Sequence, residues 1–292
     1  MDFLNAFTVD VEDYFQVSAA ERHVSRDDWG SRECRVVANT HRILELLASH
    51  NVKATFFILG WVANRFPRLV QDIHASGHEL GSHGHWHRLV YTQSPDSFRA
   101  DLRASRAAIE DASGVQTVAY RAASFSITKE SLWSLDILRE EGFRLDSSVF
   151  PVYHDRYGIP NAQPSIHQIT TRTGSLWEFP PSVVRWAGMN VPVSGGGYFR
   201  LYPLSMTLRM LSRINRRDRR PFMFYVHPWE IDPLQPPITE LSWCSKSRHY
   251  VNLASTERKL DILLKRFRFG TISDAVNSFQ GSNGHSCTTL SN

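Results

Sequence analysis

"THRILELLASHNVKATFFILG", residues 40–60, is the stretch on which the fold turns. Its first half, 40–50, places Ile43, Leu44, Leu46 and Leu47 at helical spacing. Its second half, "KATFFILG" (53–60), is a short apolar run rich in aromatic and β-branched residues, which reads as a buried strand. The same alternation continues in both directions. Upstream, "LNAFTVDV" (4–11) is a strand. Downstream, "PRLVQDIHASG" (67–77) is a helix opened by Pro and closed by Gly, and "HELGSH" (78–83) is a short strand. A long helix over 94–114 is capped by Ser94 with Pro95 in its first turn, and strand "TVAYRA" (117–122) follows. Helix 128–143, capped by Thr128, leads to strand "RLDSSV" (144–149). Residues 150–200 are rich in Pro, Gly and Tyr and read as loops. The rhythm returns with helix 203–215, strand 222–226, helix 255–267 and strand 269–273. Repeated βα units predict an α/β fold of parallel strands with helices outside, either a barrel or a doubly wound sheet. We expect one domain over 1–279 with an elaborated central insertion at about 150–202, and a loose polar tail at 280–292.

Composition narrows the classes. The chain has 292 residues, of which 42% are apolar, enough for one well-buried core. The net charge of +4 is small, and much of it sits in "RINRRDRRP" (213–221), which reads as a solvated helix end and loop. No nucleic-acid recognition fold accompanies it, so nucleic acid is not an expected partner. Three cysteines at wide spacing, Cys34, Cys244 and Cys287, make neither a disulfide framework nor a thiolate zinc site. No leader-like segment and no transmembrane stretch is apparent, so the sequence reads as cytoplasmic.

Chemistry-bearing residues collect at strand ends. "GSHGHWHRL" (81–89) holds His83, His85 and His87. His83 and His87, four apart, can face one point, while His85 points elsewhere. Such a pair needs a carboxylate to complete a hydrolytic metal site with open positions. "TVDVED" (8–13) offers Asp10, Glu12 and Asp13 at the end of the first strand. Arg121 follows one later strand and His227 another, in "FYVHPWE" (224–230). A polar crown at one face of a barrel accounts for all of them.

These motifs resemble the polysaccharide deacetylases of carbohydrate esterase family four, over about residues 4–275, and the branch associated with bacterial exopolysaccharide synthesis in particular. The resemblance implies a distorted (β/α)7 barrel. It implies Asp10 as general base, His227 as general acid, and His83 and His87 as metal ligands. Asp13 enters the ligand set, with Glu12 the alternative because strand alternation puts it on the face of Asp10. Arg121 would orient Asp10 and keep it ionised, and Asp146 would orient His227 or Arg121. The usual Pro and aromatic after the Arg motif are replaced here by Ala123 and Ser124. The Ser124 backbone N–H is the expected oxyanion donor. "WEFPPS" (177–182) and "SGGGYFRLYP" (194–203) would shape the substrate cleft, with Glu178, Gly196 and Tyr198 as contacts.

The implied reaction is hydrolysis of an N-acetyl group on a hexosamine within a glycan, releasing acetate. The implied cofactor is a divalent metal, Zn²⁺ first and Co²⁺, Mn²⁺ or Ni²⁺ after it. The implied partners are the N-acetylated glycan and an exopolysaccharide synthesis machinery. A metal-independent amidohydrolase on the same fold and a non-catalytic glycan-binding protein are the alternatives.

Overall fold

The computed structural model describes residues 3–239 and 241–282. Most of the tail expected over 280–292 lies outside the described residues. Eleven strands are present among them: β1 (Asn5–Val11), β2 (Thr55–Ile58), β3 (Glu79–Ser82), β4 (Ala119–Tyr120), β5 (Leu145–Asp146), β6 (His167–Thr171), β7 (Gly174–Glu178), β8 (Val183–Trp186), β9 (Met189–Pro192), β10 (Met223–Val226) and β11 (Phe269–Gly270). The helices that matter for the site are α1 (Val36–Ser49), α2 (Gly60–Arg65), α3 (Pro67–Ala75), α4 (Pro95–Ser113), α5 (Trp133–Glu140), α6 (Gly196–Leu201), α7 (Leu204–Arg216), α8 (Trp243–Tyr250) and α9 (Leu253–Arg266).

Seven strands run parallel along the path β10-β1-β2-β3-β4-β5-β7, with β6 added antiparallel at the β7 end. The short β11 pairs beside the start of β1. The two ends of the path approach each other. The Ser182 hydroxyl, just after β7, accepts the Met223 N–H at 2.9 Å, and the Tyr225 N–H donates to Ser194 O at 2.7 Å. The seam of the barrel is thus stitched by single residues rather than by a ladder. This architecture is the expected α/β fold in one domain.

Strand alternation divides the core in two. On β1, Phe7, Val9 and Val11 point outward into a cluster with Ile43 and Leu47 of α1, Phe56 and Ile58 of β2, and Leu211 and Ile214 of α7. Ala6 points inward, into a cluster with Phe57, Ala119, Leu145, Met223 and Tyr225. Each parallel strand therefore sends alternate residues inside, and the carboxyl ends of all of them open on one rim.

The expectation that 150–200 is all loop is corrected. β6 and β7 form one hairpin and β8 and β9 another, and β7 is the last parallel strand of the barrel. Burial along β6 alternates between half-buried and exposed, so the segment carries little apolar signal. The β8–β9 turn is made by Ala187 and Gly188, both at positive φ, the geometry that two-residue hairpins favour. The basic run begins at the end of α7 and continues into the following loop, as the sequence suggested. No helix among the described residues is long and apolar enough to cross a membrane.

Candidate active site

The site begins with β1. Period two places Asp10 inside the barrel near its rim, 2% exposed. Arg121, one residue past β4, is fully buried and reaches across the interior. Its Nη1 donates to Asp10 Oδ1 at 2.5 Å and to the Thr8 hydroxyl at 2.8 Å, and its Nη2 donates to the Ser147 hydroxyl at 3.0 Å. The guanidinium lies 4.2 Å from the centre of the Phe57 ring. A buried Arg so fully engaged fixes one Asp10 oxygen and leaves the other, Oδ2, facing the cleft.

Glu12 shares the inward face with Asp10, and the loop after β3 brings two imidazoles to it. The donor atoms of Glu12, His83 and His87 lie within 4.8 Å of one another, and all three residues are buried. His83 Nδ1 is 2.8 Å from the Arg121 carbonyl, which can only accept, so Nδ1 carries the proton and Nε2 the lone pair. Glu12 Oε2 lies 2.8 Å from His87 Nε2, yet no donor is aligned on it for a hydrogen bond. A buried carboxylate oxygen without a donor, beside two imidazole nitrogens, fits a divalent transition ion. Burial alone would raise the Glu12 carboxyl, but His87, His227 and His83 outweigh it and hold it well below the usual range. The loop is pinned from below. Asp101 of α4 accepts the His85 and Trp86 N–H groups at 2.7 and 3.2 Å. Gly84 has φ +74, and His87 itself sits at φ +50, strain of the kind that functional loops store. The His85 ring packs against Trp86 and the start of α2, away from the cluster.

His227 follows β10 directly. Its Nε2 lies 3.8 Å from Asp10 Oδ2 and 3.6 Å from Glu12 Oε1, and its Nδ1 lies 3.0 Å from Glu230 Oε2. Burial lowers the His227 imidazole, but Glu230, Glu12 and Asp10 overcome that and raise it to about 9. Glu230 is in turn gripped by Arg200 of α6 at 2.7 Å, with both side chains buried. Arg200 also donates to His249 O and Val251 O, which ties the end of α8 to the site. Trp229 stacks on His227 and donates its indole N–H to Glu12 Oε1 at 3.2 Å.

Four expected roles do not match the geometry. Asp13 stands one residue past Glu12 and therefore points the other way. Its carboxylate accepts the N–H groups of Tyr14, Arg35 and Val36 and so anchors the start of α1. Its place in the ligand set is taken by Glu12. Asp146 pairs with Glu178 across β5 and β7. Asp146 accepts from the Ser148 hydroxyl, and no hydrogen bond or ion pair joins it to His227 or Arg121 among the described residues. Burial raises the Asp146 carboxyl, and burial together with the Asp146 charge raises that of Glu178 well above its ordinary range. Glu178 accepts the Val149 N–H deep in the barrel and does not line the cleft. Gly196 is buried at φ +55 against the Tyr225 ring, where a Cβ would lie 2.6 Å from a ring carbon, so it makes room for Tyr225 rather than contacting substrate. Ser124 and Tyr198 do line the cleft. The sequence reading missed Glu230 and Arg200. The available signal was Glu230 three residues after His227 in "HPWE", a spacing that lets one side chain reach back to the other.

All the central groups, Asp10, Glu12, His83, His87 and His227, line one cleft of about 520 Å³. Comparison with known proteins adds the family. Residues 27–144 match the family described as polysaccharide deacetylase, and 147–277 match a domain of unknown function, DUF3473. The first stretch, about two fifths of the chain, is similar to a polysaccharide deacetylase domain. It is 41% identical over 63 residues to a peptidoglycan-N-acetylglucosamine deacetylase of Bacillus cereus, covering 22% of this chain and 23% of that protein. It is 29% identical over 116 residues to a chitooligosaccharide deacetylase of Rhizobium leguminosarum, covering 40% of this chain and 49% of that one. The chain thus spans under half the length of these curated relatives. A crystal structure from Mycobacterium smegmatis, assigned to the polysaccharide deacetylases, superposes with a TM-score of 0.65 at 19% identity, over 100% of this chain and 94% of the other. The allantoinase PuuE superposes with a TM-score of 0.60 at 13% identity, over 97% and 92% of the two chains. Both structures share the fold. The junction of the two matched regions falls at β5, inside the continuous sheet, so the deacetylase domain and its C-terminal partner build one barrel.

Two predictions concern this site. His83→Ala and His87→Ala each remove one of three convergent donors, and each variant purifies with metal far below one ion per chain by elemental mass spectrometry. Unchanged metal content in both would take the two histidines out of the ligand set. Glu230→Gln removes the anion that does most to raise His227. A group with a raised pKa stays protonated to higher pH, so losing this anion moves the alkaline limb of the rate profile to lower pH. An alkaline limb that stays in place would show that His227 does not set it.

Proposed function

We propose that the chain is a metal-dependent hydrolase that removes N-acetyl groups from hexosamine residues of a glycan and releases acetate. The polymer we favour is a bacterial exopolysaccharide, on the resemblance of residues 177–182 and 194–203. One observation carries the reading. A carboxylate with a free oxygen, Asp10, and an imidazole backed by a carboxylate, His227, meet beside the Glu12, His83 and His87 cluster on the floor of a single cleft. A pure binding site has no need of that base and acid pair.

A divalent ion bound by Glu12, His83 and His87 would supply Lewis acidity, polarising the acetamide carbonyl and acidifying water. Asp10 Oδ2 takes the proton from the attacking water while Arg121 keeps Oδ1 occupied. Glu230 fixes the His227 Nδ1–H, so the proton on Nε2 is the one delivered to the departing amine, which is too basic to leave as an anion. The Ser124 N–H, at the cleft wall, is our candidate for steadying the carbonyl oxygen as it gains charge.

The test is elemental analysis of the purified chain combined with acetate release from an N-acetylated oligosaccharide, before and after chelation. About one metal per chain, with activity lost on chelation and restored by adding metal back, supports the reading. Activity indifferent to chelation would favour metal-independent amide hydrolysis. Bound metal without acetate release would leave a glycan-binding protein.

A further inference from the structure

The upper wall of the cleft is built from two places far apart in the chain, the 154–157 loop and the α6–α8 side. In the loop, the His154 ring stacks on Tyr157 at 3.8 Å and 5° between planes, and Tyr157 stacks on Phe150 at 5.6 Å and 6°. The Tyr157 hydroxyl lies 3.1 Å from the Tyr198 hydroxyl of α6, which joins the loop to the other side of the wall. On this rigid aromatic wall sit two cations that line the cleft, Arg156 and Arg248. Both are exposed, and neither has a carboxylate partner among the described residues. Both act on the same group: after burial and Asp155, the charges of Arg156 and Arg248 bear on the His154 imidazole.

Within this cleft the balancing charge is missing from the rim. The carboxylates lining the cleft are Asp10 and Glu12, both on the floor, the first engaged by Arg121 and the second facing His87. Asp155, the acid nearest the wall, turns to His154 Nδ1 at 2.9 Å and does not line the cleft. A second depression of about 600 Å³ shares His154, Arg156 and Tyr157 with the first but also has Lys129, Glu130 and Asp155 in its lining, so the unbalanced positive charge belongs to the first cleft, where Arg156 and Arg248 meet. Planar guanidiniums left unpaired above a stacking surface suit a sugar that carries carboxylate or phosphate oxygens.

We propose that the glycan bound here is acidic, an N-acetylated chain bearing a carboxylate or phosphate on a sugar near the one deacetylated, and that Arg156 and Arg248 read that acid. The proposal deepens the deacetylase reading and rests on it for the N-acetyl group, but the acid can be tested by binding alone. Calorimetric titration of the full chain would compare three tetrasaccharides: one alternating N-acetylhexosamine with hexuronic acid, its carboxyl-reduced neutral form, and the neutral form carrying one phosphate. The expected result is about tenfold tighter binding of an acidic chain than of the neutral one. That advantage should shrink between low and high salt and vanish in Arg156→Ala/Arg248→Ala. Both side chains are exposed and unpaired, so the double variant keeps its fold, which its unfolding midpoint would verify. The tighter of the two acidic ligands identifies the acid as carboxylate or phosphate. Equal binding of acidic and neutral chains, or a preference that survives the double variant, overturns the proposal. An acid preference without acetate release from any probe would refute deacetylation and leave the acid recognition standing.

Discussion

Asp10→Asn lowers acetate release by about 10²–10⁴-fold while the metal content stays at the wild-type level. Asn keeps the shape of the side chain and an oxygen for Arg121 to hold, but it has no basic oxygen to take a proton. The convergent donors belong to Glu12, His83 and His87, so the ion is not lost with the base. The measurement is steady-state acetate release beside elemental analysis on the same preparation. A variant that turns over near the wild-type rate would remove Asp10 from the role of base.

Arg121→Met destabilises the metal-free chain by about 3–5 kcal/mol. Arg121 is fully buried, and its loss leaves the 2%-exposed Asp10 carboxylate without its cation and the Thr8 and Ser147 hydroxyls without a donor. Methionine retains much of the contact with Phe57, which limits the cavity contribution. Adding Asp10→Asn to Arg121→Met removes the stranded charge. The double variant should therefore lose less stability than the sum of the singles, by about 1–3 kcal/mol. Urea unfolding of the four proteins in chelator, so that bound metal does not enter the comparison, gives the coupling. A loss below about 1 kcal/mol for Arg121→Met would show that Asp10 is stabilised by other groups.

The βα rhythm was legible because the first five strands are bounded by helices with clear apolar spacing and caps, such as Ser94 before α4. It failed over 150–200 because the strands there pair in hairpins with no helix between them. β6 has no fully buried residue, and β9 is exposed or half-buried throughout. At the site, sequence motifs found the strand ends but not which neighbours they face. Glu12 and Asp13 differ by one residue, and only the direction of the chain past β1 sends one to the imidazoles and the other to the start of α1. Asp146 was sought beside His227 because a carboxylate there is chemically useful. The carboxylate that performs that task, Glu230, came from the turn after β10, and its own partner, Arg200, came from the insertion 30 residues away. A long-range ion pair of this kind leaves no periodic trace.

Arg121 makes two attachments by different parts of itself. Its side chain grips Asp10, and its carbonyl receives the His83 Nδ1–H. Side-chain replacement erases the first and leaves the second, because every residue has a carbonyl. The Asp10 side of the site is therefore separable from the Glu12, His83 and His87 side by ordinary point mutation. A lineage that exchanged Arg121 and Asp10 for an uncharged pair would keep the Glu12, His83 and His87 cluster on the floor of the cleft. Such a descendant would resemble a lectin, and the single-step intermediate on the way to it would carry the cost of one stranded buried charge.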